Sequence, residues 1–375
     1  MRNDQIKEAV KKHGSPLLIT ILDNVNYNYE FLSEALPNVT LYYALKPFPH
    51  ERVVRSLNSV GAHFDVATTG EIKVLKKVGV TANKCIHTHP IKREKDIREA
   101  INFGITQFVV DNVDEILKFR KFRKKVNLLL RVSFRNPTAS IDLSKKFGCR
   151  PEDVLSLVEF ARSHGIRING LSFHVGSQCK DSTMHVKAIN VCNDLIAQAI
   201  LKGLPSIDIL DIGGGFPAQY SGDIPQHITT FCEPIVEALT KVPQHVKIIA
   251  EPGRYIVANT TISVSTVIGK AVRDDKPWYY IDDGVYGSYS SHIFDHVKNE
   301  SYAIVLDKTD IRSEPTYSSV IAGPTCDSVD IVHEDIMLPD LKIGDLIVGR
   351  TMGAYSSATS TNFNFFDKAK HIFVD

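Results

Sequence analysis

The sequence predicts an α/β protein, a (β/α)8 TIM barrel joined to a β-rich C-terminal domain, and three observations carry that expectation. Between about residue 38 and residue 250, short β-branched runs alternate with longer amphipathic stretches, the pattern of strand–helix units around a parallel sheet. There are eight such runs, the number that closes a barrel. After Gly253 the texture changes to β-rich runs broken by Pro, Gly and Asp, with few helical stretches between them.

The strand candidates are Val39–Ala44, His63–Val66, Lys84–His87, Gln107–Val110, Val126–Val132, Ile168–Phe173, Ile207–Ile212 and Val246–Ala250. Helical stretches fall between them at His50–Ser59, Gly70–Lys77, Lys92–Phe103, Pro151–His164, Thr183–Lys202 and Ile228–Lys241, each long enough for a right-handed crossover. A further helical pattern starts near Asn112 and ends in the basic run KFRKFRKK, Lys118 to Lys125, where positive charge suits the negative end of a helix dipole. The later runs, Thr261–Ile268, Trp278–Ile281, Tyr302–Leu306, Ser318–Ile321 and Leu346–Val348, read as strands of the second domain. The early run Leu17–Leu22 precedes the barrel and joins them, since it is otherwise unpaired. The division expected is therefore 23–260 for the barrel and 1–22 with 261–375 for the β-rich domain.

With 375 residues, 43% of them hydrophobic, the chain can bury a large core. Its 44 basic and 43 acidic side chains nearly cancel, so no long-range field draws in nucleic acid or an anionic membrane surface, and the expected partner is a small molecule. No apolar run reaches membrane-spanning length, and the segment MRNDQIKEAVKKHG reads as a polar helix rather than a signal peptide. Six cysteines without CxxC pairing suggest reduced thiols in a cytoplasmic protein rather than a disulfide scaffold or zinc module.

Active sites of such barrels lie at the C-terminal ends of the strands. The polar residues found there are Lys46, Asp65, Arg131, His174 with Ser177, the glycines Gly213, Gly214 and Gly215, and Glu251 with Arg254. A lysine directly after an apolar strand, as in LYYALK, is expected in a dry mouth that lowers its pKa toward that of a nucleophilic amine. Alone, Lys46 reads first as a lysine snorkelling from a strand end, and it is the companions that favour Schiff-base chemistry. DIGGGFP, Asp211 to Pro217, supplies a glycine-rich turn suited to phosphate, with Arg254 as a charged contact. His174, in SFHVGSQ, reads as either a core or a ligand-facing histidine. Glu251 stands where a carboxylate can bond a protonated pyridine nitrogen.

Together these residues resemble the fold-type III pyridoxal 5′-phosphate (PLP) decarboxylases, the ornithine, lysine, arginine and diaminopimelate decarboxylases related to alanine racemase. The carriers include YYALK (Tyr42 to Lys46), FDVATTGE (Phe64 to Glu71), FHVGSQC (Phe173 to Cys179), LDIGGGFP (Leu210 to Pro217), AEPGRY (Ala250 to Tyr255), GPTCDSVD (Gly323 to Asp330) and MGAYSSATSTNFN (Met352 to Asn364). The resemblance implies Lys46 as the Schiff-base lysine, His174 stacked on the cofactor ring and Glu251 on its nitrogen. It implies Ser177, Gly214, Gly215, Arg254 and Tyr355 around the phosphate, with Asp65, Glu71 and Arg131 lining the site. Cys326 resembles the residue that reprotonates Cα, and Asp295 and Asp327 the acids that hold the distal amine. Phe294 and Phe363 are expected to set the pocket length.

A head-to-tail homodimer with shared sites follows from the same resemblance, with Lys146 and Asp330 as a pair across its interface. The activity implied is decarboxylation of a basic L-amino acid, ornithine to putrescine in polyamine biosynthesis or lysine to cadaverine. The alternatives are another amino-terminated substrate (arginine, diaminopimelate or a carboxylated polyamine), a racemase, or an inactive regulatory homologue. One departure is Pro47, Phe48, Pro49 and His50 after the lysine, where the family usually has a small residue and asparagine.

Overall fold

The structure is a computed structural model that describes residues 1–135, 143–223, 226–308 and 314–374. The chain opens with α1 (Asn3–His13), β1 (Leu17–Ile21) and α2 (Leu22–Ala35). It then alternates through β2 (Val39–Ala44), α3 (Glu51–Ser59), β3 (His63–Val66), α4 (Thr69–Val78), β4 (Cys85–His87), α5 (Glu94–Phe103), β5 (Gln107–Val110), α6 (Val113–Lys118) and β6 (Asn127–Val132). The alternation continues with α7 (Val154–Ser163), β7 (Ile168–Phe173), α8 (Thr183–Leu201), β8 (Ile209–Asp211), α9 (Ile228–Leu239) and β9 (Lys247–Ala250). Strands β2 to β9 pair in parallel in sequence order, and β2 pairs with β9 to close the barrel.

The barrel is filled rather than hollow. Tyr42, Ile86, Val109, Leu129 and Ile249 form one buried cluster contributed by five strands. Because Leu129 is fully buried, truncation to alanine would cost about 2–5 kcal/mol. Every residue of β7 is buried, as a strand covered on both faces requires. Helix α4 begins with a capping box: the Thr68 hydroxyl accepts the Glu71 N–H at 3.3 Å while Glu71 Oε2 accepts the Ala67 and Thr68 N–H groups at 2.5 and 3.2 Å. The helix expected from Asn112 to Lys125 is shorter. It stops at Lys118 and continues as a 3-10 turn over Arg120–Phe122, so the basic run lies mostly beyond the α-helix.

After α10 (Arg254–Val257) come β10 (Thr261–Arg273), β11 (Lys276–Ile281), α11 (Ser291–Phe294), β12 (Ser301–Ile304), β13 (Thr316–Ala322), β14 (Ile331–Pro339), β15 (Leu346–Gly349) and β16 (Lys370–Val374). These strands run in the order β12-β15-β10-β11-β13-β14. Strand β1 is in this sheet, antiparallel to β10 and parallel to β16. The sheet closes over Tyr279, Ile281, Tyr289, Ile321 and Ile347 on one cluster, and over Ile6, Leu17, Ile19, Val264 and Val348 on another.

The compact units are Val25–Ala218 with Pro225–Ile256, which holds the barrel, and Met1–Asn24 with Gln219–Ile224 and Val257–Asp375, which holds the sheet. The segment at Gln219 groups with the sheet because it bonds there: the Ser221 N–H donates to Lys298 O at 3.0 Å. The 23–260 division did not foresee that excursion.

Candidate active site

The C-terminal ends of the barrel strands carry the polar set expected from the sequence. Lys46 follows β2, whose last turns are clamped by the Ala44 N–H on Pro252 O at 3.0 Å and the Leu45 N–H on Asp65 O at 3.2 Å. As a residue Lys46 is exposed in the single chain, which differs from the dry setting expected. Burial raises the carboxyls of Asp65, Glu71 and Glu251, and the Lys46 charge opposes that rise; at His174 it adds to burial in disfavouring an imidazolium. The residues after Lys46 are packed as well. Phe48 is buried, its carbonyl accepts the Tyr43 hydroxyl at 3.1 Å, and a Cβ at Gly253 would lie 2.7 Å from Pro47. Gly253 in AEPGR is thus the residue that leaves room for the unusual proline.

Asp65, the next-to-last residue of β3, is buried and accepts the Thr88 hydroxyl at 2.5 Å. Burial pushes its pKa well above the carboxylate range, and Glu251 adds to that. Glu71 lines the same region, but its carboxylate is primarily the cap of α4, which sequence reasoning did not assign to it. Arg131, on β6, spreads over the Phe147 ring at 5.4 Å, in the field of Glu251, Asp111, Asp211 and Asp65.

Glu251 follows β9 and faces Asp211 at the end of β8. Both carboxyls are enclosed. Asp211 Oδ1 accepts the Gly213 N–H at 2.8 Å, while its Oδ2 is buried without a hydrogen bond of ordinary geometry. Burial lifts Asp211 to about 6, and burial followed by the Asp211 charge lifts Glu251 well above its usual range. Two such carboxyls titrate as a pair that retains a proton toward neutral pH. His174 is on the other side of the site. Its Nδ1 accepts the Gly176 N–H at 3.0 Å, and burial, Lys46 and Arg131 keep the ring neutral.

The glycine turn after β8 is bonded almost throughout: Ile212 N–H to Ile249 O at 2.9 Å, Glu251 N–H to Gly213 O at 2.7 Å, and Cys179 N–H to Gly215 O at 3.0 Å. The N–H groups of Gly214 and Gly215 are the exceptions, donating to none of the described residues. Gly214 is buried, and a Cβ there would lie 2.7 Å from Glu251 O and 3.1 Å from His174 Nε2. A buried amide left unpaired costs about 1–3 kcal/mol, whereas an anion laid against it satisfies it. Arg254, also buried, is beside this turn through Ser177, whose hydroxyl accepts its Nε at 3.3 Å and its Nη2 at 3.0 Å. Two unfilled amides, a guanidinium and a hydroxyl fit a phosphate group, and the Glu251–Asp211 pair fits a protonated ring nitrogen.

The second unit, taken by itself, carries the remaining candidates. Cys326 is exposed, with its Sγ 3.3 Å from Asn364 Oδ1. Asp327 accepts the Tyr286 hydroxyl at 2.5 Å, which holds its carboxyl below the usual range, and Tyr286 stacks on Phe363 at 4.4 Å. Asp295 is buried at the end of α11 beside the exposed Phe294. Tyr355 adopts a left-handed backbone with φ 57°, and its carbonyl accepts the Ser290 hydroxyl at 3.3 Å. Tyr286 and Asn364 were not singled out in the sequence. For Asn364 the available signal was its place as the last residue of MGAYSSATSTNFN.

Asp330 departs from expectation. It is 2% exposed, and its carboxylate accepts Val285 N–H at 2.8 Å, Thr325 N–H at 3.0 Å and the Thr325 hydroxyl at 2.7 Å. Cβ atoms at Gly284 or Gly323 would lie 2.2 Å from it. It organises the loops that carry Tyr286 and Cys326, a role within the chain that the sequence did not suggest. Lys146 itself is exposed over the Phe147 ring at 5.1 Å.

Residues 22–258 match the family model described as "Pyridoxal-dependent decarboxylase, pyridoxal binding domain". The chain is 33% identical to the lysine/ornithine decarboxylase of Selenomonas ruminantium over 99% of its own length and 92% of that protein. It is 35% identical to antizyme inhibitor 2 of Xenopus laevis, covering 92% of this chain and 78% of that one. Among solved structures it is similar to the lysine/ornithine decarboxylase of Vibrio vulnificus complexed with putrescine, with 48% identity, a TM-score of 0.93 and coverage of 99% and 98%.

Proposed function

This chain belongs to the pyridoxal-dependent decarboxylases, and we propose that it decarboxylates a basic L-amino acid, ornithine ahead of lysine, forming putrescine or cadaverine in polyamine biosynthesis. The observation that carries this reading is the barrel mouth itself, where Lys46, the Glu251–Asp211 pair and the unfilled Gly214 and Gly215 amides share one strand-end surface. When bound, PLP supplies an electron sink for the charge left at Cα as CO2 departs.

The amine of Lys46 would be the covalent anchor. Glu251, backed by Asp211, would hold a proton for the ring nitrogen, and His174, kept neutral by burial, would supply the ring's packing partner. Ser177, Gly214, Gly215 and Arg254, with Tyr355, would hold the phosphate, while Asp65, Glu71 and Arg131 would set the field around the reacting carbons.

In a head-to-tail homodimer the β-rich unit of the partner subunit would supply the substrate side. Asp295 and Asp327 bind the distal ammonium through charge-assisted hydrogen bonds. Phe294 and Phe363 limit the chain length, and the Cys326 thiol delivers a proton to Cα. In support of a head-to-tail homodimer with shared sites, Cys326, Phe294 and Phe363 are exposed in the single chain. A cytoplasmic setting agrees with six cysteines that are all free. Among the described residues no helix is long and apolar enough to cross a membrane. An inactive regulatory role is disfavoured by the retention of Lys46, His174, Glu251, Arg254 and Cys326.

The test is CO2 release by the PLP-loaded protein from ornithine, lysine, arginine and diaminopimelate. Fast release from ornithine and lysine and little from diaminopimelate is expected, because the distal carboxylate of diaminopimelate would face Asp295. Equal rates for all four would remove the role given to Asp295, and release from none would end the proposal.

A further inference from the structure

Behind the glycine turn, on the first turn of α8, is a histidine with no part in the chemistry above. His185 is fully buried among aromatic rings, stacked on Phe216 at 5.4 Å and edge-on to Phe231 at 5.8 Å and Phe173 at 6.3 Å. A phenylalanine would fill that space without polar atoms to satisfy, so the imidazole calls for another explanation. Its Nε2 is 3.1 Å from Gly214 O, and its Nδ1 has no hydrogen-bond partner. A carbonyl can only accept, so Nε2 carries the hydrogen and donates it. Burial presses the imidazole down to about 4, which keeps it in this neutral form at ordinary pH.

What that bond does follows from peptide geometry. In a planar trans peptide the C=O and the next N–H point in opposite directions. Holding Gly214 O toward α8 therefore turns the Gly215 N–H away from α8, where no described residue accepts it. Among the described residues this is the one hydrogen bond made by that peptide itself, although the peptides on either side are bonded. Gly213 and Gly215 adopt φ +65° and +99°, and three consecutive glycines have no side chains to restrict rotation.

We propose that His185 is a positioning residue for the phosphate cradle, holding the Gly214–Gly215 peptide so that the Gly215 N–H is presented to the phosphate of the cofactor. The proposal rests on the reading of this turn as the phosphate site. It explains why a polar ring is buried in an aromatic enclosure, and it links α8 to the cofactor through one backbone carbonyl.

The experiment compares the dissociation constants of PLP and of pyridoxal, which lacks the phosphate, for the full-length apo protein by fluorescence titration. His185→Phe is expected to weaken PLP binding about tenfold, the effect of losing one buried hydrogen bond, while leaving pyridoxal binding within about twofold. His185→Gln, which keeps a side-chain N–H, should recover most of the loss. If His185→Phe does not fold, His185→Leu makes the same comparison. Arg254→Ala tests the underlying reading separately, because it too should weaken PLP selectively. Should Arg254→Ala discriminate between the two ligands while His185→Phe weakens both equally or neither, His185 is a packing residue and the proposal is overturned. Failure of Arg254→Ala to discriminate would overturn the phosphate reading itself, and the proposal with it.

Discussion

Glu251 and Asp211 face one another at the ends of neighbouring strands, both enclosed, and burial raises both. One proton is therefore held by the pair, which the proposed function assigns to the ring nitrogen of the cofactor. Glu251→Gln keeps the shape and removes the carboxylate. We expect PLP to remain bound and kcat for CO2 release to fall by about two orders of magnitude or more. A variant with unchanged kcat would show that the pair has no part in stabilising charge at Cα.

Cys326 should separate bond breaking from proton delivery. Cys326→Ala is expected to lower the rate of amine product formation by about 10²–10⁴-fold, the range for a positioned proton donor, with KM changed little. The same variant tests sharing of sites. Mixing it with Lys46→Ala should restore about one quarter of wild-type activity, because mixed dimers contain one intact site. No recovery after subunit exchange would place each site within a single chain.

Much of the barrel was legible because a strand covered on both faces is largely apolar, as in NLLLRV and QFVV. Strand ends then pointed to Lys46, His174, Glu251 and Arg254. Helix α2, LDNVNYNYEFLSEA, was not foreseen because Asn and Tyr are indifferent helix formers and packing decided its state. Strand β14, IVHEDIMLP, escaped because its mixed exposure and two register shifts against β13 break the period of two. The contacts made by Asp211, His185 and Asp330 escaped for a shared reason: each acts on a backbone group distant in sequence or across a turn, and no local pattern records such a bond.

Asp295 is the charge expected to select a terminal ammonium. Asp295→Asn should raise KM for ornithine and lysine by about tenfold or more, since a charge-assisted bond contributes about 1.5–3 kcal/mol, and should affect a carboxylated competitor less. A uniform fall in kcat with KM unchanged would contradict a binding role.

His87 offers a test of stability against pH. Both its ring nitrogens are buried without partners, and burial, with a small addition from Lys92, presses it down to about 3. A base whose pKa is depressed on folding contributes stability above its unfolded value of about 6.5, and loses it as pH falls toward the folded value. Urea midpoints measured from pH 7 to pH 4 should show His87→Phe gaining on the wild type by up to about 1.4 kcal/mol for each pH unit below about 6.5. Parallel curves for the two proteins would mean that the imidazole finds a proton acceptor in the folded state.

The most direct measurement is to trap the cofactor on the protein with borohydride and map the modified peptide by mass spectrometry. Lys92 is the informative competitor: it is buried, its pKa is lowered to about 7, and its ammonium donates to His89 O, Pro90 O and Val109 O. The label is expected on Lys46, at the end of β2, and absent from the Lys46→Ala variant. A label on Lys92 or any other lysine would contradict the assignment on which the site is built.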